Sequence, residues 1–367
     1  MLRWLSGAMV GVLSLIAAGS SAVGQDLRES INKGTVGIIS GGIGGTYIRI
    51  ATDLASVLDN GEDLRVLPIM GKGSVQNIDD ILYLKGIDIG IVQSDVFAFV
   101  KKSNRHPTID SRIQYITKLY NEEFHLLVGE GIKSIEDLAG KKVNFGVEGS
   151  GTYMTASIVF EKLNVDAQPV SFDQGLAVEK IKSGEIAGLV YVAGKPAQLF
   201  KDIQAANGIR LMSVPLTDAI LDTYLPSRFS NDDYPQLVAE GEQIKTLAVG
   251  AVMAVYNWPQ GHPRRQKTIN FIDKFFSRFA EFQSPPRHRK WQEVSLTAVV
   301  PGWNRYQPAE RWLKENIMTV SDAKGTKAAF DVFLASQAPA LSKQLSDEAS
   351  KEELFKLFMR WQAEQEQ

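Results

Sequence analysis

The sequence predicts an α/β protein of two lobes with a helical C-terminal extension, and three features of the chain support this fold class. Apolar, strand-like runs alternate with helical patterns from residue 36 to about residue 250, an order typical of a mostly parallel sheet with helices on both faces. Two longer apolar runs, IQYITKLYNEEFHLLVG from residue 113 and TLAVGAVMAVY at residues 246–256, are suited to crossing between lobes. From about residue 263 onward the pattern is helical only.

The first lobe is assigned to residues 34–116 together with residues 250–367. Its predicted strands are VGII, LRVLPIM and IDIGIVQSD. Apolar residues at helical spacing predict helices from Tyr47 to Leu58 and from Val75 to Leu84 between these strands. The resulting βαβαβ order predicts parallel neighbours in one sheet.

The second lobe is assigned to residues 117–249 and repeats the same alternation. The segment SIEDLAGKKV has the spacing of a capping box, from Ser134 to Asp137. Predicted strands KVNFGV, AQPVSF, EIAGLVYVAG and IRLMSVP are separated by helical stretches over 152–163, 174–182 and 195–206. Beyond this lobe, helices are predicted in RRQKTINFIDKFFSRFAEFQ, PAERWLKENI, TKAAFDVFLASQ and SKEELFKLFMRWQ.

Residues 1–24 are predicted to be a signal peptide. Arg3 provides a positive start, an apolar run extends from Ala8 to Ala18, and Ser20 and Ala22 are small residues that suit a signal-peptidase site. The run is too short for a membrane span, and an uncleaved N-terminal anchor is the alternative. We therefore expect a periplasmic protein.

Charge and motif content argue against several functions. The chain has 40 basic and 42 acidic residues, so it carries no electrostatic footprint for nucleic acid. It has no cysteine, and its four histidines show neither HxxxH nor HExxH spacing, so no metal site is expected. GGIGGTY fails GxGxxG because Tyr47 stands where the third glycine is needed, and GxxxxGK[ST] does not occur. No cofactor is therefore expected.

Two glycine-rich segments, GGIGGTY at residues 41–47 and GSGTY at residues 149–153, each stand between a predicted strand and a predicted helix. Glycine lets the backbone approach a ligand closely, and the start of a helix offers unpaired N–H groups and a partial positive charge. We predict that the two segments face each other across a small organic acid. The alternative is that both are tight turns whose glycines only permit close packing.

Further candidate ligand residues lie at the ends of predicted strands, where doubly wound sheets place their ligands. Lys195 is expected to meet a second carboxylate of the ligand or to remain solvated, and Lys72 has the same two interpretations. Glu122 and Glu123 are expected to lock a hinge or to accept an ammonium group. The full predicted site comprises Gly44, Gly45, Thr46, Tyr47, Ser74, Asn77, Gln93, Ser150, Gly151, Thr152, Tyr153, Tyr191, Gly194 and Lys195.

Several segments in the right order carry a family resemblance: GGTYIRIATDLASVL, GSVQNIDDILYLKGIDIGIVQSD, LYNEEFHLLV, GIKSIEDLAGKKVNFGVEGSGTYMTASIVF and TLAVGAVMAVY. Together, across roughly residues 34–258, they resemble the TAXI family of extracytoplasmic solute receptors, which work with TRAP transporters. The resemblance implies a two-lobed, type II-like periplasmic binding protein fold. It also implies binding of a small organic acid, such as glutamate or a dicarboxylate, and delivery to a TRAP permease.

Three functions remain open at this point. The first is a transport receptor without catalytic activity. The second is a ligand-responsive sensor or interaction subunit without a cognate permease, to which the helical extension adds weight. The third is an exported enzyme on the same scaffold, although no nucleophile and base occur at a persuasive spacing and no catalytic residue is assigned.

Overall fold

A computed structural model describes residue 32, residues 34–201, residue 203 and residues 208–318. The predicted signal peptide and the two predicted helices beyond residue 318 lie outside these residues. The chain divides into two compact units, of which the first ends at Tyr306 and the second begins at Gln307. The sheet and the candidate site belong to the first unit.

The first lobe starts with the predicted alternation of strands and helices. Its elements are β1 Thr35–Ile39, α1 Thr46–Leu58, β2 Arg65–Ile69, α2 Ser74–Tyr83, β3 Ile89–Gln93, α3 Val96–Lys102 and α4 Ile109–Arg112. Strand β1 pairs in parallel with β2 and with β3, as the βαβαβ order predicts. Helix α1 buries Tyr47, Ile50, Leu54 and Leu58, which recur three and four residues apart on one face.

The second lobe follows the first crossing strand, β4 Ile113–Val128. Its elements are β5 Lys142–Asn144, α5 Gly151–Lys162, β6 Gln168–Val170, α6 Gln174–Lys182, β7 Gly188–Ala193, α7 Gln198–Lys201, β8 Arg210–Leu211, α8 Asp218–Leu221 and β9 Leu225–Phe229. Strand β5 is parallel to β6 and β7. The predicted capping box is present, since the backbone N–H of Ser134 donates to the Asp137 carboxylate.

The second crossing strand, β10 Ile244–Tyr256, carries the chain back to the first lobe. It pairs antiparallel with β4 along most of its length, with β9 at its start and with β3 at its end. A register shift between Gly250 and Val252 interrupts the β4–β10 ladder. The sheet order β2-β1-β3-β10-β4-β7-β5-β6 therefore runs through both lobes, and the predicted two-lobed α/β fold is confirmed.

Each lobe has its own hydrophobic core. One cluster lies in the first lobe around Ile78, Val92 and Trp303. Two more pack on β4 and β7 in the second lobe, one around Phe124 and Phe160 and the other around Phe200 and Tyr234. The side chain of Met154 on α5 packs in the cluster of the first lobe, so the start of this helix lies against both lobes.

Helical structure follows β10, as predicted. Helix α9 Pro263–Ser277 is succeeded by 3₁₀ turns at Phe279–Phe282 and Arg289–Glu293. The second unit contributes α10 Gln307–Leu313 and a π-helical turn at Lys314–Met318. Across the described ranges, no helix has the length and hydrophobicity needed to span a bilayer.

Sequence patterns misplaced some elements of the second lobe. Of the helix expected over 195–206, the described residues contain α7, Gln198–Lys201, and residues 195–197 are not helical. The strand expected over IRLMSVP is limited to β8. Strand β9 was not anticipated; its burial pattern is mostly exposed or intermediate, so it lacks the apolar run by which a buried strand is recognised.

Candidate functional site

A small cavity of about 70 Å³ lies between the two lobes. We call it the interlobe cavity. It is enclosed by the starts of α1, α2 and α5, by the end of β3, and by β4 and β7. Its lining residues are Gly41, Gly42, Gly45, Thr46, Tyr47, Lys72, Gly73, Ser74, Gln93, Glu122, Ser150, Gly151, Thr152, Tyr191, Val192 and Ala193.

The structure brings most of the predicted site residues to this cavity. Those that line it are Gly45, Thr46, Tyr47, Ser74, Gln93, Ser150, Gly151, Thr152 and Tyr191. The two glycine-rich segments therefore share one cavity, as their position before two helices suggested. Whether they contact a ligand there stays a prediction.

The other five predicted residues lie elsewhere. Asn77 is buried and uses its side-chain amide to donate 2.8 Å hydrogen bonds to the backbone carbonyls of Ser40 and Ile91, so it ties α2 to the sheet. Tyr153 packs edge-on against Phe145. Gly44 lines a second cavity, and Gly194 lies against the side chains of Tyr120 and Lys290. Lys195 is engaged by Asp233.

Lys195 does not reach the interlobe cavity. Its ammonium group donates to the carbonyl of Arg228 at 2.6 Å and to the Asp233 carboxylate at 3.0 Å. Its backbone N–H donates to the Glu123 carboxylate at 2.8 Å. Burial of the Asp233 carboxylate is unfavourable unless the charge is paired, and the ammonium group of Lys195 pairs with it. The expectation that Lys195 neutralises the ligand therefore has no support in this arrangement.

The starts of α1 and α5 differ in how they are capped. Gly45 precedes α1 and provides no side-chain cap. Ser150 precedes α5, and its hydroxyl accepts a 3.1 Å hydrogen bond from the N–H of Tyr153. The first turn of α1 is therefore the less satisfied of the two, because no side chain takes up its orphan N–H groups.

The two lobes touch at glycines beside the cavity. The backbone N–H of Gln76 on α2 donates to the carbonyl of Gly149 at 3.0 Å. Gly73 has a φ of 111° and a ψ of −164°, a conformation that only glycine adopts readily. A Cβ atom built on Gly151 would lie 2.0 Å from Oε1 of Gln93 and 2.5 Å from Oγ of Ser74. Gly151 is therefore required by the contact between lobes, not by its own φ.

Glu122, on the crossing strand β4, is the buried acid of the cavity. It is 3% exposed, and its Oε2 accepts a 2.6 Å hydrogen bond from the hydroxyl of Tyr47. Burial raises the pKa of Glu122 to about 8. The desolvated carboxylate is costly, so the group is predominantly protonated at neutral pH and brings a neutral carboxyl to the cavity.

Glu123 points to a separate, structural network. Its carboxylate accepts from the ammonium of Lys290 at 3.0 Å, and Lys290 also pairs with Glu293 at 2.8 Å. Lys290 is fully buried, so these partners are needed to offset its desolvation. The network fixes the 3₁₀ turn at Arg289–Glu293 onto β4. Alternation along the strand thus gives adjacent glutamates different roles.

A third polar cluster connects the lobes behind the cavity. Asp95 of the first lobe is buried and accepts hydrogen bonds from the hydroxyls of Thr155 at 2.9 Å and Tyr224 at 3.0 Å, both in the second lobe. Burial raises the pKa of Asp95 to about 6. Asp95 occupies the N-cap position of α3 but makes no side-chain capping bond, so its carboxylate serves the contact between the lobes instead.

The hydroxyl groups of the lining serines already have structural partners. Ser74 accepts from the N–H of Gln93 at 2.9 Å and donates to Oε1 of the same residue at 3.3 Å. Ser150 caps α5. His125 is fully buried against the hydroxyl of Tyr234 at 2.6 Å, and burial lowers its pKa to about 3. Neither serine is paired with a general base in these contacts.

Lys72, Gly73 and Glu122 were not among the predicted site residues, although Lys72 and Glu122 had been considered. Gly73 follows a strand in MGKGSVQN, and this glycine-rich turn before a helix was the available signal. In the part of the chain that the structure describes, no group of three or more histidine, cysteine, aspartate or glutamate side chains could hold a metal ion.

The segment from residue 38 to residue 258, more than half of the chain, matches the model of the NMT1-like family. The chain belongs to the NMT1-like family. The match covers both glycine-rich segments and both crossing strands, and it ends just after β10. The family assignment is coarser than the TAXI resemblance drawn from the sequence motifs.

Solved structures provide further similarities. A structure described as a periplasmic transporter shares 15% identity over 80% of this chain and 97% of that chain, with a TM-score of 0.46. An ancestral arginine-binding protein bound to arginine shares 16% identity over 66% of this chain and 93% of that chain, with a TM-score of 0.40. The periplasmic aliphatic sulphonate binding protein SsuA from Escherichia coli shares 13% identity over 83% and 88%, respectively, with a TM-score of 0.39.

Proposed function

We propose that this protein is a periplasmic solute receptor whose two lobes close on a small carboxylate and deliver it to a membrane permease of the TRAP type. The observation that carries the proposal is the interlobe cavity, to which each lobe contributes the start of a long helix. Two lobes that close around a ligand couple binding to a change of shape, and a permease can recognise that change.

The electrostatics of the interlobe cavity favour an anion. The starts of α1 and α5 each contribute a partial positive charge, and Lys72 adds a full positive charge at the exposed rim. Glu122 offsets little of this at neutral pH, because its pKa of about 8 keeps most of it protonated. The cavity therefore complements a ligand that carries one negative charge.

Glu122 also distinguishes two classes of carboxylate. A protonated Glu122 has one O–H with which to donate a hydrogen bond to a ligand oxygen, while its Oε2 accepts from the hydroxyl of Tyr47. An α-amino acid would place an ammonium group in the cavity, and that group would favour the ionised form of Glu122. An amino acid should therefore release a proton from Glu122 when it binds at neutral pH, whereas a simple carboxylic acid should not.

The volume of the cavity limits the size of the ligand. A water molecule needs about 10–15 Å³ of such space, and sites for drug-sized ligands span roughly 300–1,000 Å³. At about 70 Å³ the cavity, in the arrangement of the lobes seen here, accommodates only a small molecule. This favours a short-chain organic or amino acid over a bulky solute, and a longer ligand would have to hold the lobes further apart.

The contacts of the lining side chains support binding over catalysis. Ser74 and Ser150 are engaged with the backbone and with Gln93, and a nucleophile needs a base within hydrogen-bond reach. Tyr47 and Glu122 form a closed hydrogen-bonded pair. These groups orient a ligand, and none is arranged to attack it.

The decisive experiment identifies the ligand directly. Protein purified from its native cells is denatured, and the released small molecules are identified by mass spectrometry. Calorimetry then tests C2 to C5 carboxylates and their amino derivatives in buffers of different ionisation enthalpy, which reports proton release. Binding of one small carboxylate supports the proposal. Retention of a neutral or cationic solute, with no carboxylate bound, contradicts it.

The permease partnership requires its own test. Cells lacking this protein should lose high-affinity uptake of the identified solute. Cells lacking a TRAP permease should show the same loss, and cells lacking both should take up no less solute than either single deletion. Normal uptake in the absence of the protein would contradict delivery to a permease but would not contradict ligand binding in the interlobe cavity.

A further inference from the structure

A second cavity, of about 180 Å³, lies on the other side of the segment that begins α1. Gly45 and Thr46 line both cavities, so the two are neighbours separated by one stretch of backbone. The remaining lining includes Arg49, Lys201, His288 and Arg289. We call it the basic cavity, because four of its lining side chains are basic and none of the described lining residues is acidic.

The basic cavity joins three parts of the first unit. Arg49 is one turn into α1 of the first lobe, and Lys201 ends α7 of the second lobe. His288 and Arg289 stand at the start of the 3₁₀ turn that Lys290 anchors to β4. A ligand held by these side chains would therefore connect the two lobes.

Two of the cations are available to a ligand. Among the described residues, neither Arg49 nor Lys201 forms an ion pair or a side-chain hydrogen bond. Both side chains belong to exposed residues. Arg289 pairs with Asp233 at 3.0 Å, yet Asp233 is shared with Lys195. The nearby carboxylate of Asp53 accepts from the N–H of His288 and from the indole of Trp291, so it too is already engaged.

His288 adds a directional donor to this group. Its Nδ1 accepts a 3.2 Å hydrogen bond from the N–H of Lys290. In the neutral ring the proton therefore resides on Nε2. Burial, together with the nearby positive charges of Arg49 and Arg289, lowers the pKa of His288 to about 4. The ring is therefore neutral at neutral pH.

We propose that the basic cavity binds a small oxyanion between Arg49 of the first lobe and Lys201 and Arg289 of the opposite wall. Guanidinium and ammonium donors of this kind bind carboxylate, sulfate or phosphate oxygens. A volume of about 180 Å³ is many times the roughly 10–15 Å³ of such space that one water needs, so a tetrahedral anion fits together with a few waters. Because the anion contacts both lobes, it stabilises their closed arrangement.

The oxyanion has two sources that share this chemistry. It is either a free inorganic anion or the distal anionic group of a solute that extends past Gly45 and Thr46 from the interlobe cavity. The second source, but not the first, depends on the function proposed above. Inorganic phosphate is a suitable probe for both, since it does not require the solute to be known.

The first arm measures phosphate binding to the solute-free protein by ³¹P NMR and calorimetry, at constant ionic strength set with sodium chloride. Arg49→Gln and Lys201→Gln should each weaken phosphate binding by about fivefold, near the upper end for an exposed ion pair. Arg65→Gln and Lys85→Gln are matched controls, because both are exposed and line neither cavity. Absence of binding, or equal weakening by the controls, overturns the proposal whatever the solute proves to be.

The second arm measures solute affinity with and without saturating phosphate. A free anion that bridges the lobes should raise solute affinity in the wild type and not in Arg49→Gln. A distal group of the solute should instead be displaced by phosphate, which lowers affinity in the wild type only. Unchanged affinity in the wild type would show that the basic cavity does not communicate with closure and would overturn the bridging role.

Discussion

Tyr47 and Glu122 form a 2.6 Å hydrogen bond between the first turn of α1 and the crossing strand β4. The pair links one of the predicted glycine-rich segments to the strand that passes between the lobes. Burial raises the pKa of Glu122 from its ordinary value of 4.5 to about 8. Between pH 4.5 and about 8, this carboxyl is therefore mostly protonated in the native protein and mostly ionised in the unfolded chain.

This difference predicts that the contribution of Glu122 to stability falls as the pH rises. At Glu122 the native state binds more protons than the unfolded state between pH 4.5 and about 8, so this group lowers the free energy of unfolding by up to about 1.4 kcal/mol per pH unit. Asp95, with a pKa of about 6, acts in the same direction from pH 3.8 to about 6. Above pH 6, the slope due to these two groups belongs mainly to Glu122. His125 and His288, whose pKa values burial lowers from 6.5 to about 3 and about 4, act in the opposite direction below about pH 6.5.

Urea unfolding at pH 6, 7 and 8 and constant ionic strength measures this slope. Glu122→Gln keeps an acceptor for Tyr47 but cannot ionise, so the free energy of unfolding of the wild type should fall relative to that of this variant as the pH rises from 6 to 8. Glu62→Gln, a substitution of an exposed glutamate, is the control and should retain the wild-type slope. A slope in Glu122→Gln equal to that of the wild type would show that another group is responsible.

A second prediction concerns Gly151. Gly151→Ala should impair closure, because the added methyl group would lie 2.0 Å from Oε1 of Gln93 across the interface between the lobes. We expect at least a tenfold loss of ligand affinity, as a small displacement at this contact disrupts the whole cavity. The fold of each lobe should persist, as judged by circular dichroism.

Gly42→Ala is the matched control for Gly151→Ala. Gly42 lines the same cavity, yet a Cβ atom there would meet nothing within 4 Å. Its affinity should remain within about threefold of the wild type, as for a surface substitution that touches nothing. Equal losses in both variants would mean that glycine is needed for ligand approach, which was the sequence-based reason, and not for contact between lobes.

A third prediction concerns the hydrogen bonds that Asp95 accepts across the lobes. Tyr224→Phe removes one of its two hydroxyl donors and leaves the other, from Thr155. Loss of a partner to a buried group costs about 1–3 kcal/mol. The variant should unfold at lower urea concentration and, without ligand, show a larger radius of gyration by small-angle scattering.

Tyr153→Phe tests whether the loss of any tyrosine hydroxyl has this effect. Within the described part of the chain, the hydroxyl of Tyr153 forms no hydrogen bond, and its ring packs against Phe145. This control should keep the wild-type radius and lose less than about 0.5 kcal/mol of stability. An unchanged radius in Tyr224→Phe would show that the Asp95 contacts do not hold the lobes together.

The architecture was largely predictable because it depends on patterns that are local in the sequence. Apolar residues three and four apart predict helix α1, and α6 was predicted over its observed range, Gln174–Lys182. The crossing strands β4 and β10 were recognisable as long apolar runs. Strand β9 was missed because its neighbour β10, not its own composition, determines its conformation.

The site was predictable only as far as backbone geometry determines it. Glycines before two helices indicated the walls of the cavity, and Ser74 and Gln93 followed from their places beside strand ends. The roles of individual charges could not be derived in this way. Glu122 and Glu123 are adjacent and chemically identical, yet one lines the cavity and the other binds Lys290, which lies 167 residues further along the chain.

The last prediction contrasts two lysines that the sequence left equivalent. Lys72 lines the rim of the interlobe cavity, whereas the ammonium of Lys195 is bound by Asp233 and the carbonyl of Arg228. Lys72→Met should therefore weaken binding of a dicarboxylate by about 0.5–1 kcal/mol, the upper part of the range for an exposed ion pair. It should weaken binding of the matching monocarboxylate less, because the first carboxylate contacts the helix starts.

Lys195→Met should show the opposite behaviour. The affinities for both ligands should stay close to those of the wild type, while the free energy of unfolding falls by about 1–2 kcal/mol because partly buried Asp233 loses a charged donor. Calorimetry with both ligands on the wild type and both variants closes a thermodynamic cycle in which general damage to a lobe cancels. A selective loss of dicarboxylate binding in Lys195→Met, with Lys72→Met unaffected, would restore Lys195 as the ligand's second cation and would require the Lys195–Asp233 ion pair to open when the ligand binds.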